Sequence, residues 1–168
     1  MAIDDHPLIV KSIVWTTEAD TQAFAEALAG KLRTVTPACN ALIQLHGDLG
    51  TGKTTLARHL LKALGVSGRI KSPTYAVVEP YAVAGTAPSD ALAIWHFDFY
   101  RFNDPNEWEE AGFRDIFAST GLKLIEWPDK AGKHLPPADL DVHIEMLAGE
   151  ARAVVLTAHT SAGAALLQ

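Results

Sequence analysis

A chain of 168 residues, 48% hydrophobic and 20% charged, is long enough for one domain with a substantial core and hardly long enough for two. Its formal net charge of −6 gives a field that does not attract nucleic acid, which argues against a stand-alone DNA or RNA binder. The one cysteine, Cys39, cannot close an internal disulfide and fits a reducing setting.

The opening stretch MAIDDHPLIV carries two aspartates where a signal peptide has a basic start and an apolar core, so a cytoplasmic protein is expected. No apolar run approaches the roughly 20 residues of a membrane span. Next, KSIVWTT reads as a short strand entering a helix over Glu18 to Leu32, with Thr16 or Thr17 as its N-cap. Ala19, Phe24, Ala27, Leu28 and Leu32 approximate its apolar stripe. Pro37 breaks the chain, and NALIQLH follows as a compact apolar run, the pattern of a buried central strand.

KTTLARHLLKAL, from Lys53 to Leu64, is helical, with Leu56, Leu60, Leu61 and Leu64 on one face and Gly65 as terminator. IKSPTYAVVEPY is a loop feeding an extended segment, and AVAGTAPSDA has loop chemistry. LAIWHFDFY reads as another strand. DPNEWEEAGFRDIF predicts one or two short helices, with Asn103 or Asp104 as cap and Pro105 in the first turn. LKLIEWP is a strand halted by Pro128. DLDVHIEML and ARAVVLTA flank AGE as a hairpin over about 139–159, and the tail 160–168 is expected to lack order. Strands alternating with helices, then a hairpin, predict a single α/β domain of the P-loop kind, with a parallel sheet centre, antiparallel edge strands and flanking helices. The seven histidines lack zinc-ligand spacing, so no structural metal is expected.

HGDLGTGKTT, from His46 to Thr55, answers to G-x-x-x-x-G-K-[ST] through Gly47, Gly52, Lys53 and Thr54. It follows an apolar strand and opens an amphipathic helix, the context that marks a phosphate loop. Main-chain N–H groups must converge on phosphate oxygens, and residues without Cβ let the chain curl that tightly. The helix N-terminus adds unpaired donors. Lys53 is expected to reach the β- and γ-phosphates, and the Thr54 hydroxyl to ligate Mg²⁺, a hard cation that takes oxygen donors.

A second anion for Mg²⁺ is expected at the end of a neighbouring strand, and Asp98 and Glu126 are both candidates. In HFDFYR, His96, Asp98 and Tyr100 share one face if the strand persists. His96 could position water or simply pack, and Arg101 reads best as part of an ion pair. Thr74, in SPTY, is the right group for a loop that orders around a γ-phosphate. Trp127 follows Glu126 directly, as a partner or rim aromatic or as core. No N-K-x-D string reads guanine, and D-x-x-G over Asp129 to Gly132 lies off a strand end. ATP is therefore favoured over GTP. Beside an ATPase, the residues leave open a small-molecule kinase and a nucleotide-gated binding module, although a basic lid is poorly supplied between Gly65 and Leu92, with Arg69 the one arginine.

GDLGTGKTT, KSPTY, HFDFYR and IEWP, in this order and at these distances, resemble the TsaE (YjeE) family. Its members are small bacterial ATPases required for threonylcarbamoyladenosine modification of tRNA. The resemblance runs from about Thr16 to the terminal hairpin and implies the same P-loop fold. It implies ATP/ADP contacts from Leu49, Gly50, Thr51, Gly52, Lys53 and Thr54, and Mg²⁺ ligation by Thr54 and Glu126. It makes Asp98 the Walker B-like acid, acting directly or through water. It also makes Thr74 a switch residue and Trp127 a functional aromatic, and assigns catalysis to Lys53, Asp98 and Thr74. The implied partner is the TsaB–TsaD heterodimer, with tRNA reached at adenosine 37 through that complex. The stretch from 82 to 93 is longer than usual for the family. With no evident arginine finger, hydrolysis by the chain alone is expected to be slow and to rise on partner docking.

Overall fold

A computed structural model describes residues 8–85 and 91–168. The middle of the long loop expected over AVAGTAPSDA lies outside the described residues.

Strand β1 (Ile9–Trp15) leads to α1 (Glu18–Val35), then a 3-10 turn at Pro37–Cys39 and β2 (Ala41–His46). The glycine-rich loop 47–52 passes into α2 (Lys53–Ala63), followed by β3 (Val78–Val83) and β4 (Leu92–Asp98). Two short helices, α3 (Glu107–Glu110) and α4 (Arg114–Ala118), precede β5 (Leu122–Glu126). A kinked 3-10 segment, Pro128–His134, leads to the hairpin of β6 (Leu140–Met146) and β7 (Arg152–Ala158), and α5 (Ser161–Leu166) ends the chain.

One seven-stranded sheet runs in the order β1-β7-β6-β2-β5-β4-β3. Its centre is parallel, through β6–β2, β2–β5 and β5–β4, and both flanks are antiparallel. The expected architecture is observed, with antiparallel pairing on both flanks. Alternation of side chains along β4 and β5 sorts the core into two halves. Ile94, Leu122 and Leu124 face Leu28, Leu32, Leu56 and Leu60 of α1 and α2. Phe97 and Ile125 face an aromatic cluster with Phe99, Phe113 and Trp108 on the opposite side, where Phe97 and Phe113 meet edge-on at 5.2 Å. His96, Asp98 and Glu126 fall on the α2 side by the same period.

Helix α1 starts as predicted at Thr17, where Oδ2 of Asp20 accepts from the N–H groups of Thr16 and Thr17. It runs on to Val35, and its buried stripe is Thr21, Ala25, Leu28, Ala29 and Leu32, while Ala19 and Ala27 are exposed. Alanines carry little apolar weight, so the long residues alone marked the true face. Helix α2 buries Leu56, Leu60 and Leu61 as expected, and Leu64, its C-cap, is buried with them.

Two further features of the fold correct the sequence reading. The tail expected to lack order forms α5: Thr160 accepts from the N–H of Gly163, and Leu166 and Leu167 are buried. The apolar run supplies the anchoring, and Gly163 permits it, because a Cβ there would stand 1.9 Å from the Asp139 carbonyl oxygen. The strand expected over LAIWHFDFY ends at Asp98, whose Oδ1 accepts from the N–H of Tyr100 and turns the chain away. Tyr100 therefore lies beyond the strand, and the period of two that would relate it to His96 and Asp98 does not apply to it.

Candidate functional site

The glycine-rich loop 47–52 links the end of central β2 to α2, beside the ends of β4, β5 and the β6–β7 hairpin. Gly47 is required for close approach: a Cβ there would lie 2.5 Å from the carbonyl oxygen of Ile144 on β6. Gly52 sits at φ 108°, a left-handed conformation that lets its chain turn straight into α2. Arg152, at the start of β7, donates from Nε to the Thr51 carbonyl at 2.8 Å and so braces the loop from the hairpin.

Lys53 is 4% exposed and folds back onto the loop, donating to the carbonyls of Gly47 at 2.6 Å and Asp48 at 2.9 Å. Its ammonium also lies 4.2 Å from the centre of the Trp127 ring. Burial pulls its pKa down, against the opposing charges of Glu126, Asp98 and Asp48. Trp127 adopts a left-handed backbone at φ 56°, which aims its ring across Lys53 and against Tyr100, 5.1 Å away.

In-register pairing of β4 with β5 sets Asp98 opposite Glu126. Glu126, 2% exposed, accepts from the Thr54 hydroxyl on Oε1 at 2.7 Å. Its Oε2 lies 2.7 Å from His96 Nε2. Asp98, 4% exposed, accepts from the Thr74 hydroxyl on Oδ2 at 3.1 Å. Burial, joined by the charge of Glu126, pushes the Asp98 carboxyl above its ordinary range; the Tyr100 N–H and the Thr74 hydroxyl oppose this without cancelling it. Thr74 is thus drawn to an acid of the site by a side chain that its loop delivers from outside the sheet.

These residues line one cleft of about 300 Å³, which Leu49, Gly50, Gly52, Lys53, Thr54, Thr74, Asp98, Glu126 and Trp127 all border. Of the predicted residues, Thr51 alone stands behind it. There it borders a smaller cleft of about 180 Å³ with Trp15, Thr17, Glu18, Thr21, Glu150 and Arg152. Thr51 Oγ1 is buried with no hydrogen-bond partner among the described residues.

The donor set suits a hard divalent ion, since Thr54 and Glu126 present oxygens alone. Octahedral Mg²⁺ with ligand distances of roughly 2.0–2.1 Å separates adjacent ligand oxygens by about 3 Å. The Thr54 and Glu126 oxygens, 2.7 Å apart, need to part only slightly to meet that spacing.

Three arrangements escaped the sequence reading. Arg152 reaches the loop because β6 pairs with β2, a long-range choice with no local signal. Arg101, expected in an ion pair, lies over the Tyr75 ring at 4.1 Å. Lys123, in the middle of buried β5, donates to the Ser119 carbonyl and lies 5.4 Å from the centre of the Trp95 ring.

The family profile described as "Threonylcarbamoyl adenosine biosynthesis protein TsaE" matches residues 15–154. The chain belongs to the TsaE family. The tRNA threonylcarbamoyladenosine biosynthesis protein TsaE of Haemophilus influenzae is 45% identical over 122 residues, 73% of each chain. The Bacillus subtilis protein of the same name is 29% identical over 151 residues, 89% of this chain and 87% of that one. The crystal structure titled Bacillus subtilus YdiB superposes with a TM-score of 0.71 at 26% identity, covering 95% of this chain and 93% of that one. The TsaE match covers the loop and both acids. Among the described residues, no helix is long and apolar enough to cross a membrane.

Proposed function

We propose that this TsaE-family chain binds ATP with Mg²⁺ at the phosphate loop and hydrolyses it in support of threonylcarbamoyladenosine formation at adenosine 37 of tRNA. The observation that carries this reading is the convergence of Lys53, Thr54, Glu126, Asp98 and Thr74 on one cleft at the N-terminus of α2.

Lys53 is held in reserve by two carbonyls of its own loop, and triphosphate oxygens are stronger acceptors for its ammonium than neutral carbonyls. Thr54 and Glu126 are the proposed Mg²⁺ ligands. The ion, when bound, screens the phosphate charge that develops as the γ-phosphoryl group leaves. Asp98 is the proposed general base. Its raised proton affinity suits it to take a proton from water as the water oxygen bonds the γ-phosphorus and the bond to the ADP oxygen breaks. Thr74 is tied to that base and can trade its bond for a phosphate oxygen, which makes its loop responsive to nucleotide. The smaller cleft behind Thr51 and Thr55 supplies an apolar wall at Trp15 and polar groups for base and ribose.

The same chain is proposed to work with the TsaB–TsaD heterodimer. Among the described residues bordering the cleft, Lys53 is the one cationic side chain, so the chain adds a single side-chain clamp beside the proposed ion, and hydrolysis by the chain alone should be slow. Docking then completes the site. ATP turnover measured with and without the heterodimer, together with adenosine 37 modification, tests the reading. Stimulation with modification supports it; equal rates, or a phosphorylated small-molecule acceptor in place of free phosphate, refute it.

A further inference from the structure

His96 is 0% exposed on the α2 face of β4, between Ile94 and Asp98. An imidazole in such a place costs stability unless its polar atoms are bonded. One of them is: Nε2 meets Oε2 of Glu126 at 2.7 Å. The other, Nδ1, has no hydrogen-bond partner among the described residues. The polarity of this side chain is therefore spent on Glu126 alone. A packing role would be met by an aliphatic residue, as Ile94 meets it one step along the same face.

An ionised carboxylate only accepts, so Nε2 is assigned as the N–H donor of the pair. Each oxygen of Glu126 then has its own task. Oε2 is pinned from below by His96, and Oε1 points up at the Thr54 hydroxyl. Without that anchor the carboxylate is free to rotate and present either oxygen, or neither, beside Thr54.

We propose that His96 is a positioning residue for divalent-cation binding: its Nε2–H fixes one Glu126 oxygen so that the other is presented, beside the Thr54 hydroxyl, to the ion. This rests on the reading of the phosphate loop as a Mg²⁺-nucleotide site. Groups that orient metal ligands from behind typically govern affinity by about 10- to 100-fold.

His96→Gln and His96→Met separate the roles, because the two side chains are close in size and flexibility and only glutamine carries an N–H. Mg²⁺ is titrated calorimetrically into each protein saturated with ADP, and ADP affinity is also measured in EDTA. The Mg²⁺ requirement is expected to rise about 10- to 100-fold in His96→Met and to stay near the wild-type value in His96→Gln. ADP affinity in EDTA is expected to be the same in all three. Equal Mg²⁺ requirements in the two variants, beside a Mg²⁺-dependent wild type, overturn the role of His96 alone. No Mg²⁺ effect in the wild type overturns the underlying site and this role with it. Imidazole ¹⁵N–¹H spectra of the wild-type protein give a check that needs no variant to fold: an Nε2–H tautomer is expected, and an Nδ1–H tautomer overturns the proposal.

Discussion

The Thr54 hydroxyl donates to Oε1 of Glu126 at 2.7 Å, joining the first turn of α2 to the end of β5. Between the two candidate acids, this contact favours Glu126 as the direct metal ligand, with Asp98 one strand away on Thr74. Glu126→Gln keeps the shape and removes the charge. We expect nucleotide affinity in EDTA to persist, the Mg²⁺ enhancement to be lost, and turnover to fall about 100-fold or more. Calorimetry in Mg²⁺ and in EDTA checks this, and an unchanged Mg²⁺ dependence contradicts it.

Asp98→Asn should separate binding from turnover. Loss of a general base lowers turnover by roughly 10²–10⁴-fold, while ATP affinity stays near wild type. Stability should move the other way. A carboxyl whose folded pKa is raised contributes favourably below its unfolded pKa, and that contribution is lost as pH rises through the folded pKa. Ionised Asp98 therefore costs stability at neutral pH. The asparagine variant should melt higher than wild type at about pH 8, and the gap should close toward about pH 4. A gap that widens in acid contradicts the assignment.

Arg152→Ala removes the brace between the hairpin and the loop. A hydrogen bond from a charged donor contributes about 1.5–3 kcal/mol, so nucleotide affinity should weaken roughly 10-fold or more if loop order is what Arg152 supplies. The variant should still fold, because the β6–β7 register does not depend on this side chain. Unchanged ADP affinity would show that the loop holds its shape unaided.

Leu166→Ala tests whether the C-terminal helix belongs to the core. Leu166 is 5% exposed, and truncating a buried leucine typically costs about 2–5 kcal/mol. Urea unfolding should show that loss with nucleotide affinity intact. A change below about 0.5 kcal/mol would mean that α5 is only loosely attached.

Much of the site was legible because its chemistry is local. Gly47 through Thr54 form one contiguous string, and an apolar run before it with an amphipathic helix after it dictate where it sits. The faces of β4 and β5 were legible too, since period two sets Asp98 and Glu126 against the same helix. Which of them meets Thr54 and which meets Thr74 was not, because it depends on register: pairing of β4 with β5 puts Asp98 opposite Glu126, two residue pairs beyond the level of His96. Arg152 and α5 were hidden for a related reason. Both act through contacts some hundred residues or more distant in sequence, Arg152 on Thr51 and Lys11 on the Leu167 carbonyl, and neither leaves a local pattern. In α1 the alanines misled because they fit any face, whereas Leu28 and Leu32 do not.

The most direct test is a calorimetric titration of ATP into the wild-type chain and Lys53→Met, each in Mg²⁺ and in EDTA, with and without TsaB–TsaD. Lys53 is a buried cation bordering the cleft, and the proposed phosphate contact depends on it. The account predicts Mg²⁺-dependent ATP affinity in the wild type and its loss in Lys53→Met, with the variant still folded. ATP affinity that ignores Mg²⁺ under every condition, or that survives removal of the Lys53 ammonium, would contradict it.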